Sequence, residues 1–179
     1  PFAMYHVDPD HKEREFLTLD ELTVMTEIKL EDPNMAFARD LFIFGCWTGI
    51  SFIDIKNLTE DNISMINGAP WIVSKRQKTG VPFQIKLMDI PMQIIGRYKA
   101  FRKGSHLFNI GNLDSINKRI KKVAAMCGIK KRVSFHVSRH SWAVLALEYG
   151  MPIESVSKIL GHTNITTTQI YAKVTSTKL

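Results

Sequence analysis

The sequence predicts a mainly α-helical domain that carries one small antiparallel β-sheet. Three observations support this. Apolar residues recur at helical spacing in several separate segments, and each segment is bounded by a capping residue, a proline or a glycine. One stretch, residues 63–88, breaks that spacing and alternates β-branched and aromatic residues with polar ones. The chain has 179 residues and 45% hydrophobic content, enough for one core, because a domain of this length buries roughly 70% of its unfolded surface.

The elements follow in order. Residues 1–15 are polar and charged, like a linker, and the chain opens on Pro1 rather than Met. "FLTLDELTVM" starts a helix, with Thr18 and Glu21 at capping-box spacing. "DPNMAFARDLFIFGCWTG" is a second helix, with Pro33 in its first turn and Thr48-Gly49 at its end. It is apolar on nearly every side, so it is expected at the centre of the fold. "ISMINGAPWIVSKRQKTGVPFQIKLM" gives two or three short antiparallel strands, with turns at Asn67-Gly68 and Thr79-Gly80. "INKRIKKVAAMCG" returns to helix and stops at Gly128. Three further helices are expected: "FHVSRHSWAVLALEYG" up to Gly150, Pro152 to Gly161, and a short one over "TTTQIYAKV".

Lys and Arg number 24 against 17 Asp and Glu, a formal net charge of +7. That balance favours an anionic partner, most commonly nucleic acid, although a basic protein with no such partner has the same composition. The two cysteines, Cys46 and Cys127, form no CxxC pair and are read as reduced, with no cysteine-based metal site. The longest apolar run, Leu41 to Trp47, falls far short of the ~20 residues that span a bilayer. No signal peptide opens the chain, so a cytoplasmic location is expected.

Two segments carry chemistry. In "HVSRH", His136, Arg139 and His140 share one helix face at i, i+3 and i+4. Such a cationic face suits an anion, and a solvated polar face is the plainer reading of any one member. Two histidines at i,i+4 also have the spacing of a zinc helix. Val137 stands where a glutamate base would be, and Arg139 between the histidines would repel a cation, so the metal reading is the weaker one. In "LGHTNITTTQIY", His162 follows a helix stop, where it can face a cleft, and Tyr171 lies nine residues on. On spacing alone Tyr171 would be a core residue beside Ile165 and Ile170. "SKRQKTG" places Lys75, Arg76 and Lys78 around a hairpin turn, where the plain reading is a charged tip protecting a sheet edge.

In this order, "TGISFIDIKNL", a hairpin lysine, "HVSRH" and "LGHTNITTTQIY" strongly resemble the catalytic domain of the tyrosine recombinases, the phage integrase family, and look closest to integrases of conjugative transposons and related mobile elements. The resemblance runs from Phe16 to Tyr171. It implies the fold of that catalytic domain over residues 16–179, with 1–15 as the linker from an N-terminal core-binding domain that preceded Pro1. It implies DNA cleavage and rejoining through a 3′-phosphotyrosyl intermediate on Tyr171, with no metal or other cofactor. A tyrosine of ordinary pKa near 10 is only about one part in a thousand phenolate at neutral pH, a deficit of roughly 4 kcal/mol, so neighbours must activate it. By motif position, Arg139 would hold two phosphate oxygens with its planar fork. His136 would be base or proton shuttle, with His140 supporting. His162 would donate to a phosphate oxygen, Lys78 would protonate the leaving 5′-oxygen, and Asp54 would orient the site.

One departure stands out. The family's first arginine follows "TGL", and here that position holds Ser51. Arg39, on the buried helix, is the expected substitute, and Asp40, its sequence neighbour, is not expected to pair with it. A structural ion pair for Arg39 is the competing reading. Lys75, Arg76 and other basic residues would meet phosphates. The partner implied is double-stranded DNA, bound by a homo-oligomer, a tetramer, in the bacterial cytoplasm at the nucleoid. Rival readings are an accessory DNA-binding protein of the same fold, impaired in catalysis by Ser51, and a metal-dependent nuclease built on His136, His140 and His162.

Overall fold

The structure is a computed structural model that describes residues 15–176. The expected linker therefore lies outside the described residues, except for Glu15. The helices and the sheet expected from the sequence are present, together with two short helices that sequence periodicity did not single out.

Helix α1, Leu19–Glu27, starts on the anticipated capping box: Glu21 N donates to Thr18 Oγ1 at 3.3 Å, and Thr18 N donates to Glu21 Oε2 at 2.8 Å. Helix α2, Pro33–Thr48, is capped by Asp32, which accepts from Asn34 N at 2.8 Å. Every residue from Ala38 to Cys46 is buried, and α2 packs against α1, α4, α5 and α6. A helix apolar all round takes the centre because no face gains by meeting water. It ends at Gly49, whose φ of +65° and whose Cα, against the Trp142 ring, both require glycine: a Cβ there would lie 2.6 Å from ring carbons.

Helix α3, Phe52–Lys56, follows at once, with Ser51 as its N-cap. Strands β1 (Ile63–Ile66), β2 (Ala69–Lys75) and β3 (Pro82–Lys86) form an antiparallel sheet in the order β1-β2-β3, pairing Ile63 with Ile72 and Ile72 with Ile85. Ile72, Phe83 and Ile85 are buried on its inner face, which fixes the register. Helices α4 (Asp89–Arg97), α5 (Leu113–Met126), α6 (Phe135–Glu148), α7 (Ile153–Leu160) and α8 (Thr166–Ser176) complete the fold. A large core surrounds α2, and a second, smaller cluster of Trp142, Ala143, Val144, Val156, Leu160 and Tyr171 joins α6, α7 and α8.

Candidate active site

Arg139 lies in the second turn of α6 and ties two element ends together. Its Nη1 donates to the carbonyl of Gly49 at 2.9 Å, and its Nη2 donates to the carbonyl of Leu160. Both acceptors belong to helix termini, where carbonyls lack intrahelical partners. Burial, and next the positive charge of Arg76, lower the pKa of the guanidinium to about 10 against the opposing pull of Tyr171 and Asp54. A second cation thus stands close to Arg139, and a tyrosine and a carboxylate also lie within its electrostatic range.

Tyr171 is only 3% exposed. Its ring packs into the smaller core as the plain reading of an amphipathic tyrosine expected, yet its hydroxyl is 2.6 Å from His140 Nδ1. The His140 ring meets the His136 ring edge-on, with centroids 4.3 Å apart, and His136 is exposed where His140 is buried. The sequence face His136-Arg139-His140 therefore splits: His140 reaches inward to the phenol and His136 stands at the surface. His162 is half-buried beyond the end of α7, with Nδ1 2.8 Å from Thr168 Oγ1. Helix α8 is thereby held by two histidine–hydroxyl bonds, His140–Tyr171 and His162–Thr168. Thr168 is fully buried and was not anticipated. Its position one turn before Tyr171 on the same helix was the signal available for it.

The hairpin loop brings a correction. Arg76, expected on a charged, exposed tip, is only 5% exposed and folded inward. Its Nη1 donates to Asp54 Oδ2 at 2.9 Å, its Nη2 donates to the carbonyl of Ile159, and its guanidinium lies 4.0 Å from the centroid of the Phe83 ring. The cause is Asp54, a carboxylate 5% exposed that needs a buried cation to offset its desolvation. Lys75 and Lys78 are exposed on the same hairpin. Ser51 caps α3 and donates its hydroxyl to Asp54 Oδ2 at 2.7 Å.

Arg39 is also corrected. Its guanidinium does not turn toward this site. Nε donates to Asp40 Oδ1 at 2.5 Å, and Nη1 donates to the carbonyls of Met25, Thr26 and Ile28 at the end of α1. The neighbour rule that disfavoured Asp40 concerns side chains on an open helix surface. Here both residues are buried, and Asp40 also accepts from Arg97 at 2.5 Å and from Tyr98 at 2.7 Å. The cluster locks α1 and α4 onto α2, so Arg39 is structural.

Among the described residues, no group of three or more His, Cys, Asp or Glu is placed to hold a metal ion, and no helix is long and apolar enough to cross a membrane.

The sequence profile of the phage integrase family matches residues 15–178. The chain belongs to the phage integrase family. It is 26% identical over 185 residues to the tyrosine recombinase XerC of Natranaerobius thermophilus, covering 95% of this chain and 62% of that protein. It is 45% identical over 62 residues to the tyrosine recombinase XerD of Listeria monocytogenes serotype 4b, covering 35% of this chain and 21% of that one. Among solved structures, the XerH site-specific recombinase bound to its palindromic difH substrate, a post-cleavage complex, superposes with a TM-score of 0.79 at 19% identity, covering 93% of this chain and 52% of that one. The Tn1549 transposon integrase in complex with circular intermediate DNA gives 0.72 at 18%, covering 92% and 62%. The catalytic domain of bacteriophage HP1 integrase gives 0.66 at 20%, covering 90% and 88%. At these identities the structures establish the fold, that of the tyrosine recombinase catalytic domain. The chain spans 62% or less of the curated relatives' length.

Proposed function

We propose that this chain is the catalytic domain of a site-specific DNA recombinase or integrase, which cleaves and rejoins double-stranded DNA through a 3′-phosphotyrosyl link on Tyr171. The observation that supports this best is the convergence of Arg139, His140, His162 and Tyr171 where the ends of α2, α6 and α7 meet the middle of α8, in a chain of this family. The names of the relatives, and the DNA bound in the XerH and Tn1549 complexes, point the same way for substrate.

In this reading the phenolic oxygen of Tyr171 attacks phosphorus and the bond to the 5′-oxygen breaks. The phenolic proton leaves toward the paired histidines, His140 in contact and His136 beside it at the surface. Arg139 holds the non-bridging oxygens, His162 donates to one of them, and Lys78 gives the 5′-oxygen its proton. The link keeps the energy of the broken bond for rejoining, so no cofactor is consumed. At 3% exposure Tyr171 cannot meet a phosphate where it lies, so α8 must shift from α6 before attack, which also releases His162 from Thr168. Lys75 and other exposed cations contact the DNA backbone. The working assembly is a homo-tetramer on DNA in the bacterial cytoplasm, with residues 1–15 leading from an N-terminal core-binding domain.

The test is a pool of nicked duplexes with randomised cores, incubated with the protein in EDTA. Covalent protein–DNA adducts, recovered and sequenced, support the reading and supply its substrate. DNA binding with no adduct would favour an accessory DNA-binding protein, and cleavage abolished by EDTA a metal-dependent nuclease.

A further inference from the structure

Ser51 offers no charge at the position that follows Thr48-Gly49-Ile50, yet a guanidinium stands beside it. Asp54 Oδ2 accepts from the Ser51 hydroxyl at 2.7 Å and from Arg76 Nη1 at 2.9 Å, so the two side chains share one carboxylate oxygen. Asp54 Oδ1 accepts from the Gln77 amide at 2.8 Å, which pins the hairpin backbone to the same carboxylate. On its other side, Arg76 donates to the carbonyl of Ile159, while Arg139 donates to the carbonyl of the next residue, Leu160. Two guanidiniums thus hang from consecutive carbonyls at the end of α7. Asp54 offsets one of the two positive charges, and the trio keeps one net positive charge in a largely dehydrated place, where an unpaired charge is costly.

Arg76 is also incompletely bonded. Its Nε is a buried side-chain atom without a hydrogen-bond partner among the described residues. It faces Gly161, where a Cβ would lie 3.4 Å from Nε and 3.2 Å from Cγ of Arg76, so glycine leaves the room the side chain occupies. An orphaned donor in a net-positive site next to His162 calls for an anionic acceptor. The tip that follows Arg76, residues 77–80, is exposed and carries Lys78, so one hairpin bears both cations.

We propose that Arg76 is a catalytic residue, supplying the scissile phosphate with the guanidinium that Ser51 cannot, and that Asp54 is its positioning residue. The inference rests on the strand-transfer reading above. Arg76 is nearly as buried as Tyr171, at 5% exposure, so the hairpin must shift to present it when α8 releases Tyr171. As Tyr171 attacks, the non-bridging oxygens gain negative charge, and Arg76 and Arg139 donate to them from two sides while the 5′-oxygen leaves with a proton from Lys78. Ser51 leaves space for this arrangement and braces Asp54.

The experiment compares wild type with Arg76→Gln on the nicked duplex recovered above, made once with its native scissile phosphate and once with a methylphosphonate there, which lacks one negative charge. On the phosphate, Arg76→Gln is expected to slow adduct formation about 10²- to 10³-fold, the usual effect of removing one preorganised donor. On the methylphosphonate the gap between the two proteins is expected to shrink to less than about 10-fold, because there is less charge to compensate. Ser51→Arg in the Arg76→Gln background is expected to restore part of the rate on phosphate. A structural Arg76 would slow both substrates equally, and that result, or a variant as fast as wild type on phosphate, overturns the proposal. Where Arg76→Gln does not fold, Arg76→Lys keeps a cation for Asp54 and carries the same comparison. An adduct-free wild type would instead overturn the strand-transfer reading, and this proposal with it.

Discussion

Replacing Arg39 with alanine should cost stability and leave the chemistry alone. The side chain is 8% exposed and its bonds all lie within α1, α2 and the chain between them. Its loss strands the carbonyls of Met25, Thr26 and Ile28, and weakens the compensation of a buried Asp40. Breaking a buried ion pair from one side costs about 3–5 kcal/mol. The lower end applies here, because Asp40 keeps Arg97 and Tyr98. At about 2–4 °C per kcal/mol for a chain of this size, a loss of about 3 kcal/mol lowers Tm by about 6–12 °C. Urea titration and thermal melts measure this directly, and the adduct assay is run at a temperature where the variant is fully folded. The reasoning fails if Arg39→Ala unfolds within about 1 kcal/mol of wild type. It fails equally if the folded variant loses adduct formation about 10²-fold or more, since that would return Arg39 to the active site.

Two further outcomes are expected, one from the proposed function and one from the structure. Lys78→Ala should slow cleavage about 10²- to 10⁴-fold, as loss of a positioned general acid does, with DNA affinity little changed, and a substrate whose 5′-oxygen is replaced by sulfur, a leaving group that needs no proton, should recover the rate; failure of that rescue assigns Lys78 to phosphate binding. Burial pushes the Glu21 carboxyl up, but Lys131 at 2.6 Å and the Thr18 hydrogen bonds outweigh it and hold the group below its ordinary value. A depressed carboxyl stabilises the fold above the unfolded-state pKa of about 4.3 and loses that contribution as pH falls through the folded value, so the stability difference between wild type and Glu21→Gln should be constant near neutrality, at no more than about 1 kcal/mol, and vanish in acid; a difference that persists at low pH contradicts it.

Much of the fold was legible because its signals are local. The Thr18–Glu21 box, Pro33, the glycine stops and the turn at Asn67-Gly68 each act within a few residues, and the apolar surround of α2 left that helix no place but the centre. Helices α3 and α4 were not anticipated. Helix α3, Phe52–Lys56, is too short for periodicity to declare itself, while α4, Asp89–Arg97, is as long as α1 but contains Pro91 and Gly96, residues that usually mark loops, and has no side-chain cap at its start. In the site, the motif residues were legible by type but their pairing was not. His136 and His140 share a face in the sequence, and only the packing of α8 on α6 decides that His140 meets the phenol. Arg76 and Arg39 were misplaced for one reason: what a long side chain bonds depends on elements distant in sequence. Arg76 finds Asp54 across 22 residues and Ile159 across 83, and Arg39 finds the end of α1.

The central claim is that Tyr171 is the nucleophile, and digestion of the covalent adduct tests it most directly. Trypsin cuts after Lys158 and Lys173, so residues 159–173 form one peptide that contains Tyr171 as its only tyrosine. The account predicts that this peptide carries the mass of the attached nucleotide, with the fragment series placing it on residue 171, and that Tyr171→Phe gives no adduct while still binding DNA. An adduct on another residue, or one that persists undiminished in Tyr171→Phe, would contradict the account and leave Tyr171 as a core residue that happens to bond His140.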